Sequence, residues 1–289
     1  MKKILITGAN SYIGNAVERW LNGFNGKNGG EPLYSVTVLD MLGDAWRKFD
    51  FKGFDVVFHV AGIAHDTKKK RDKELYYKVN RDLAIETANK AKESGVGQFI
   101  FMSSMLVYNG CKDRYITAET QPKVKGCYGD SKLQADLALQ EMNSENFKVA
   151  VLRPPMIYGQ GCKGNFPRLA ALTKKTFIFP KIKNQRSMLY IDNLCEFVRL
   201  MIDHNSFGVF FPQNKDYLSS TEIVRLIAAR QEKKIWFTRL FNPFVYFAAP
   251  LLAPVKKLFG NLAYDQNISD VFDGAYRIVD TKESIIRSV

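Results

Sequence analysis

The sequence predicts an α/β protein built on a doubly wound parallel sheet, with a second, smaller lobe. Three observations carry this reading. Short apolar runs alternate with segments of helical periodicity, the runs stop abruptly at Gly, Asp or Ser, and the alternation loosens after Pro155. Parallel neighbours need a crossover, usually helical, between them, and ligands of such sheets bind at the C-terminal ends of the strands.

Residues 3–7 form a short apolar run stopped by Gly8, as in a buried parallel strand. Ile13, Ala16, Val17, Trp20 and Leu21 then recur at helical spacing, and the Gly- and Asn-rich stretch 22–30 predicts a loop. Residues 36–40 predict a second strand ending on Asp40, and residues 56–60 a third, followed by Ala61 and Gly62. A long helix is expected over 75–93, where Leu75, Val79, Leu83 and Thr87 fall four apart, with Gly95 ending it. Residues 99–102 predict a strand with Ser103 and Ser104 at its C-terminal end. Residues 128–142 predict a helix, and 149–152 a strand closed by Arg153-Pro154-Pro155. Past that point only 190–202 reads as another sheet-associated helix. The sheet domain is therefore expected over 1–154 plus about 182–212, and the second lobe over about 155–181 plus 213–289.

Composition narrows the class. The 289 residues can bury a large core, and 46% hydrophobic with 25% charged content excludes disorder and fibrous repeats. Lys2 and Lys3 precede too short an apolar run for a secretory signal, and Cys111, Cys127, Cys162 and Cys195 are scattered without a CxxC. Both point to a cytoplasmic protein with free thiols and no metal site. The formal charge of +13 comes from basic residues read as dispersed, apart from Lys68-Lys69-Lys70-Arg71, and no nucleic-acid motif accompanies them. An anionic small substrate fits that charge, and no nucleic-acid partner is expected. The apolar stretch 240–254 carries Asn242 and three prolines and falls short of the roughly 20 residues of a transmembrane segment. It reads first as packed helices of the small lobe. Peripheral membrane contact, helped by Lys256 and Lys257, is the alternative.

Three constellations carry chemistry. Gly8, Asn10, Ser11, Tyr12, Ile13 and Gly14 lie between a strand and a helix, where a Gly turn lets the backbone approach a pyrophosphate at the helix N-terminus. The middle glycine of that dinucleotide-binding pattern is Ser11 here, whose hydroxyl can itself bond a phosphate. Asp40, ending the second strand, suits adenosine ribose hydroxyls and favours NAD over NADP, although Arg47 and Lys48 stand near enough to accept a 2′-phosphate. Tyr128 and Lys132 are four apart on a predicted helix, so phenol and ammonium share one face. A nearby Lys⁺ lowers a phenol's pKa towards the range useful for acid–base work, and Ser104 offers a hydroxyl to the reacting oxygen.

Taken in order, Gly8–Gly14, Asp40, Asn80, Ser104, Tyr128 and Lys132 resemble the extended short-chain dehydrogenase/reductases, the NAD-dependent epimerase/dehydratase family, over residues 1 to about 212. That resemblance implies a Rossmann sheet and a substrate-binding second lobe. It makes Tyr128 the general acid/base, Lys132 its partner and a holder of the nicotinamide ribose, and Ser104 an orienter of substrate. Asn80 would lie near the cofactor, and Ala61 and Gly62 would line the adenosine diphosphate. Residues 152–159, together with Asn165-Phe166 and the run 186–193, resemble parts of nucleotide-sugar enzymes. By that match Asn165 and Arg186 meet the diphospho-sugar, and Phe179-Pro180 flank the uracil.

The reaction can be narrowed further. Sugar 4,6-dehydratases place an Asp-Glu pair after the serine, where this chain has Met105-Leu106, so that reaction is not expected. Residues 163–169 and 184–191 look most like bacterial reductases of UDP-2-acetamido-2,6-dideoxy-4-ketohexoses, which serve surface polysaccharide synthesis. The implied function is NAD(P)H-dependent C4 reduction of such a UDP-sugar. The alternatives are a 4-epimerase and, from another class, a non-enzymatic Rossmann regulator. The resemblance also raises a homodimer through helices of the nucleotide domain.

Overall fold

The structure is a computed structural model and describes residues 1–27, 31–64, 73–112, 115–252, 255 and 258–289. The basic run Lys68–Arg71, together with Lys256 and Lys257, lies outside the described residues. The chain divides into two units. One comprises Met1–Cys111, Gln121–Pro154 and Leu194–Pro212; the other comprises Lys112–Thr120, Pro155–Asn193 and Gln213–Val289. The second unit thus takes in 112–120 and 182–193, which the sequence reading left with the first. Pairing explains the difference: β5 (Tyr115–Ile116) pairs with β12 (Ala263–Tyr264), and β7 (Met156–Tyr158) pairs with β9 (Met188–Tyr190).

The first unit is a six-stranded parallel sheet of β1 (Lys2–Thr7), β2 (Tyr34–Leu39), β3 (Val56–His59), β4 (Gln98–Met102), β6 (Lys148–Leu152) and β10 (Gly208–Phe210), in the order β10-β6-β4-β3-β1-β2. The direction of winding reverses between β1 and β3, the place where open α/β sheets leave a crevice for ligand. One side of that switch holds only β2, because the chain after it forms just a one-turn helix, α2 (Ala45–Lys48), before entering β3.

Alternation along the strands builds two cores. Leu5, Val57, Phe99, Phe101, Val149 and Val151 cluster with Ala84, Ala88 and Ala91 of α4 (Leu83–Glu93) and with Ala135 and Leu139 of α5 (Cys127–Glu141). Alanines on the helices let their backbones lie close over aromatic strands. The alternate residues Ile4, Ile6, Phe58, Ile100 and Leu152 are also fully buried or nearly so. On the outer helices, the Trp20 indole of α1 (Tyr12–Lys27) donates to Glu196 of α7 (Ile191–Asp203) at 3.0 Å.

Two predicted elements change. The loop expected over 22–30 is helical as far as Lys27, because Asn25 in the last turn bonds the entry to β2. Its amide donates to the Tyr34 carbonyl at 2.7 Å, and its Oδ1 accepts from Leu33 and Tyr34 N–H at 2.9 and 3.0 Å. That tertiary contact outweighs the low helix propensity of Asn and Gly. The long helix expected over 75–93 is α3 (Lys73–Tyr77), a π-turn (Lys78–Asp82) and α4. Such single-turn bulges are common at functional sites. This one holds Asn80, which is completely buried.

An ion pair also ties α5 to the sheet. Asp136 is fully buried and accepts from Arg153 Nε and Nη2, each at 2.8 Å, and from the Ser103 hydroxyl at 2.7 Å. Arg153 Nη1 donates to the Tyr108 hydroxyl at 2.6 Å. Burial opposes the guanidinium charge, but bonding to Asp136 outweighs it and holds Arg153 above its ordinary value. Removing one partner of such a pair leaves a buried charge uncompensated. Asp136→Ala is therefore expected to destabilise the protein by about 3–5 kcal/mol in urea unfolding. A loss below about 1 kcal/mol would mean the pair is not structurally coupled as described.

Candidate active site

The loop after β1 is shaped by close approach. Gly8 has φ of +116°, and a Cβ there would lie 2.9 Å from the Ala61 nitrogen, so no side chain fits where the loops after β1 and β3 meet. Asn10 occupies the left-handed region with φ of 61°, which Asn tolerates better than other non-glycine residues. Ser11 Oγ accepts the Gly14 N–H at 3.0 Å, capping the start of α1. Its role is thus first to cap the helix, although the hydroxyl can still donate to an anion. Tyr12, Ile13 and Gly14 form the first turn of α1 beneath the loop.

Beside this loop lies a cleft of about 1480 Å³, large enough for a dinucleotide. Gly8, Asn10, Ser11, Asp40, Ala61 and Gly62 line it, as do Arg81 and Gln134 from the opposite wall. Asp40 is exposed, with Oδ1 accepting the Leu42 N–H at 2.9 Å. Arg47 also lines the cleft and is paired there: Nε and Nη2 grip Glu86 at 2.5 and 2.7 Å, and Nη1 reaches Asp44. The tight loop, the sixteen-residue helix starting at it and the acid at the rim fit a dinucleotide.

Deeper in the same unit, Tyr128, Lys132 and Asp136 follow each other at four-residue spacing along α5. Lys132 is 5% exposed, donates to the Met102 carbonyl at the end of β4 at 2.8 Å, and sits 4.7 Å from the Phe101 ring centre. Burial pushes its ammonium down to about 8, partly opposed by Asp136. Ser104 follows β4 in extended backbone, caps the short helical turn Met105–Tyr108 and hydrogen-bonds Tyr128. Gly129 makes that approach feasible, since a Cβ there would lie 2.7 Å from the Leu106 carbonyl oxygen. Tyr76 packs edge-on against Tyr128, with ring centres 6.4 Å apart.

The phenol departs from expectation. Tyr128 keeps part of its surface open but is densely surrounded, and burial raises its pKa above the ordinary value despite the Ser104 hydrogen bond. Burial is the largest cause of that rise, and the Lys132 ammonium one turn along donates to the Met102 carbonyl. The arrangement holds a protonated phenol, a donor. His59 cannot substitute as a titrating group: it is fully buried against Phe99 and Phe101, bonded to Thr7 at 2.8 Å, and pushed down to about 3 by burial.

Asn80 joins these parts. Its Oδ1 accepts the Ile63 N–H at 2.9 Å, and its amide donates to the Ile63 carbonyl at 3.1 Å and to Ser131 Oγ at 3.2 Å. Its side chain clamps the loop after β3 to α5, beside Gly62 and Lys132. Gly62, Asn80, Ser104, Tyr128 and Lys132 are thus brought together.

Asn165 and Arg186 belong to the second unit. Asn165 is exposed at the first residue of α6 (Asn165–Lys175). Arg186 is half-buried, donates to the Gly260 carbonyl at 3.3 Å, and is pushed below its ordinary value by burial. Phe179 is 3% exposed and packed on Phe237 and Phe259, so its ring is committed to the core.

Residues 4–210 match the NAD dependent epimerase/dehydratase family. This chain belongs to that family. As a member, it is an NAD(P)-dependent enzyme related to nucleotide-sugar epimerases, dehydratases and reductases. It is 29% identical to the UDP-glucose 4-epimerase of Vibrio cholerae over 98% of this chain and 90% of that protein. It is 26% identical to the N-acetyl-alpha-D-glucosaminyl-diphospho-ditrans,octacis-undecaprenol 4-epimerase of Escherichia coli O157:H7, over 80% of this chain and 73% of that protein. Among solved structures, the dTDP-4-dehydrorhamnose reductase of Clostridium acetobutylicum superposes with a TM-score of 0.74 at 20% identity, covering 99% and 98% of the two chains. The UDP-glucuronic acid 4-epimerase of Bacillus cereus, in complex with NAD, gives 0.75 at 17% identity, covering 99% and 97%. At those identities the likeness shows the fold.

Sequence reading missed Asp136 and its ties to Ser103 and Arg153, although Asp136 continues the Tyr128–Lys132 spacing by one more turn. It also missed the steric role of Gly129, which only the position of Leu106 reveals.

The depressed ammonium has a consequence for stability. Between about 8 and its ordinary value of 10.5, Lys132 binds a proton in the unfolded chain that it lacks in the folded one. Stability therefore rises with pH across that window, and the cost of the buried charge is fully present below it. Wild-type protein is expected to gain urea resistance relative to Lys132→Met as pH rises from about 8 to 10. A constant difference across that range would show that Lys132 is not desolvated.

Proposed function

We propose that this enzyme reduces the C4 keto group of a UDP-linked 6-deoxy-N-acetylhexosamine with NAD(P)H, as a step in making surface polysaccharide precursors. The observation that carries the reading is the Tyr128 phenol, hydrogen-bonded to Ser104 one helical turn from Lys132. A ketone reduced to an alcohol needs a proton on oxygen as hydride reaches carbon, so a poised donor suits reduction. The nicotinamide supplies that hydride when bound. Tyr128 gives its proton to the C4 oxygen, Ser104 orients that oxygen, and Lys132 holds the nicotinamide ribose and favours the resulting phenolate. Met105 and Leu106 follow Ser104 with no acid or base, in keeping with redox chemistry rather than water elimination.

The chain's remaining groups take binding roles. Backbone from Gly8 to Ser11 and the start of α1 hold the pyrophosphate, and Asp40 receives the adenosine ribose hydroxyls. Asn165 and Arg186 bind the diphosphate of the substrate, and Pro180 with neighbouring backbone, rather than the Phe179 ring, borders the base. NAD is preferred over NADP because Arg47 is already gripped by Glu86.

A second reading, 4-epimerisation, is favoured by the names of the relatives in Vibrio cholerae and Escherichia coli. It uses the same residues, with Tyr128 first accepting and then returning the proton. Incubation with UDP-4-keto-6-deoxy-N-acetylglucosamine and NADH separates the two. The reductase consumes one NADH per sugar, and Tyr128→Phe lowers turnover at least a thousandfold while NAD binding persists. Interconversion of UDP-hexoses without added cofactor, and no NADH consumption, would establish the epimerase instead. Near-wild-type turnover by Tyr128→Phe on these sugars overturns both. For the cofactor, Glu86→Ala frees Nε and Nη2 of Arg47, leaving only its contact with Asp44, and is expected to raise the NADP-to-NAD ratio of kcat/KM about tenfold. An unchanged ratio removes Arg47 from the explanation.

A further inference from the structure

The second unit presents a surface that the proposed reaction does not use. Helix α9 (Asn242–Leu251) follows β11 (Trp236–Thr238) and packs inward through Val245 and Ala248, which are 7% and 4% exposed. Its opposite side carries Phe244, Phe247 and Leu251, spaced three and four apart, at 71%, 72% and 68% exposure. Leu240 and Leu252, at the two ends of the helix, and Tyr246 on its flank are also exposed. The expectation that 240–254 packs within the lobe holds for one side of the helix only. Single exposed apolar residues are ordinary, but a contiguous aromatic face marks an interaction surface.

Charge identifies what covers it. From Lys233 to Tyr264 the sequence contains five basic residues and no acidic one. Residues 155–191, also in the second unit, contain seven basic residues and again none acidic. The basic residues stay dispersed along the chain, but in these two stretches no carboxylate accompanies them, so their positive charge is locally uncompensated. Arg239 is exposed just before the helix, and Lys181, also exposed, accepts the Asn242 amide on its carbonyl at 3.0 Å. A second copy of this chain would bring the same basic rims together, which like-charge repulsion opposes. Among the described residues no helix is long and apolar enough to cross a membrane. A ten-residue helix spans about 15 Å, half a hydrocarbon core, so it can lie in an interface but not traverse it.

We propose that the outward face of α9 docks on an anionic phospholipid surface, with Phe244, Phe247 and Leu251 entering the headgroup–acyl boundary and Arg239 and Lys181 meeting the lipid phosphates. Apolar burial and attraction to anionic headgroups act together in such helices. The proposal does not depend on the reaction assigned above, so each can fail alone.

The test is sedimentation of the full chain with vesicles of phosphatidylcholine alone or mixed with phosphatidylglycerol. At least tenfold stronger partitioning is expected onto the mixed vesicles. The double variant Phe244→Asp/Phe247→Asp loses that binding at least tenfold with its circular dichroism and melting unchanged. Arg239→Glu/Lys181→Glu, which leaves the aromatic face intact, abolishes the preference for phosphatidylglycerol and serves if the first variant does not fold. No partitioning by the wild-type chain overturns the proposal. So does equal binding by the folded aromatic variant, which would place adsorption elsewhere on the basic surface. A dimer in ultracentrifugation that the aromatic variant dissociates, without vesicle binding, would assign the face to a second copy instead.

Discussion

The bond from the Lys132 ammonium to the Met102 carbonyl, 2.8 Å long and buried, fixes where α5 stands relative to the end of β4. A carbonyl at the C-terminal end of a parallel strand has no further partner in the ladder, and the Lys132 ammonium meets this one directly. With Lys132 held there, Tyr128 one turn earlier reaches Ser104, and Asp136 one turn later reaches Ser103 and Arg153. Three successive turns of one helix therefore engage three successive residues at one strand end. Gly129 permits this spacing, because any side chain there would strike the Leu106 carbonyl.

Burying these charges costs free energy that close pairing has to offset. Arg153 is satisfied by two bonds to Asp136 and one to Tyr108, so its charge survives burial. Lys132 donates to a neutral carbonyl and lies over an aromatic face, with Asp136 one turn away, and its ammonium is correspondingly easier to discharge. The contrast separates a structural cation from a poised one. The phenol beside it has been pushed the opposite way, towards keeping its proton.

The sheet strands and the loop after β1 were legible in the sequence because apolar runs ending at Gly8, Asp40 and Ser104 leave few alternatives. Tyr128 and Lys132 were legible through helical spacing combined with Ser104. What stayed hidden depended on tertiary contacts. Asn25 extends α1 by bonding the start of β2, and the π-turn around Asn80 breaks a periodicity that reads as one continuous helix. Arg47 looked available for a phosphate because Glu86 is distant in sequence and adjacent only in the fold. Phe179 resembled a base-stacking residue but is occupied by Phe237 and Phe259. In each case the deciding partner comes from a part of the chain distant in sequence and adjacent only in the fold.

The central claim is that Tyr128 acts as a proton donor supported by a Lys132 ammonium that discharges at about 8. The pH dependence of kcat/KM for reduction of a UDP-4-keto sugar tests it most directly. The account predicts a rate that is level through neutral pH and falls above about 8 as the ammonium is lost. A rate that instead climbs with pH through that range would require the phenolate as a base, and would contradict it.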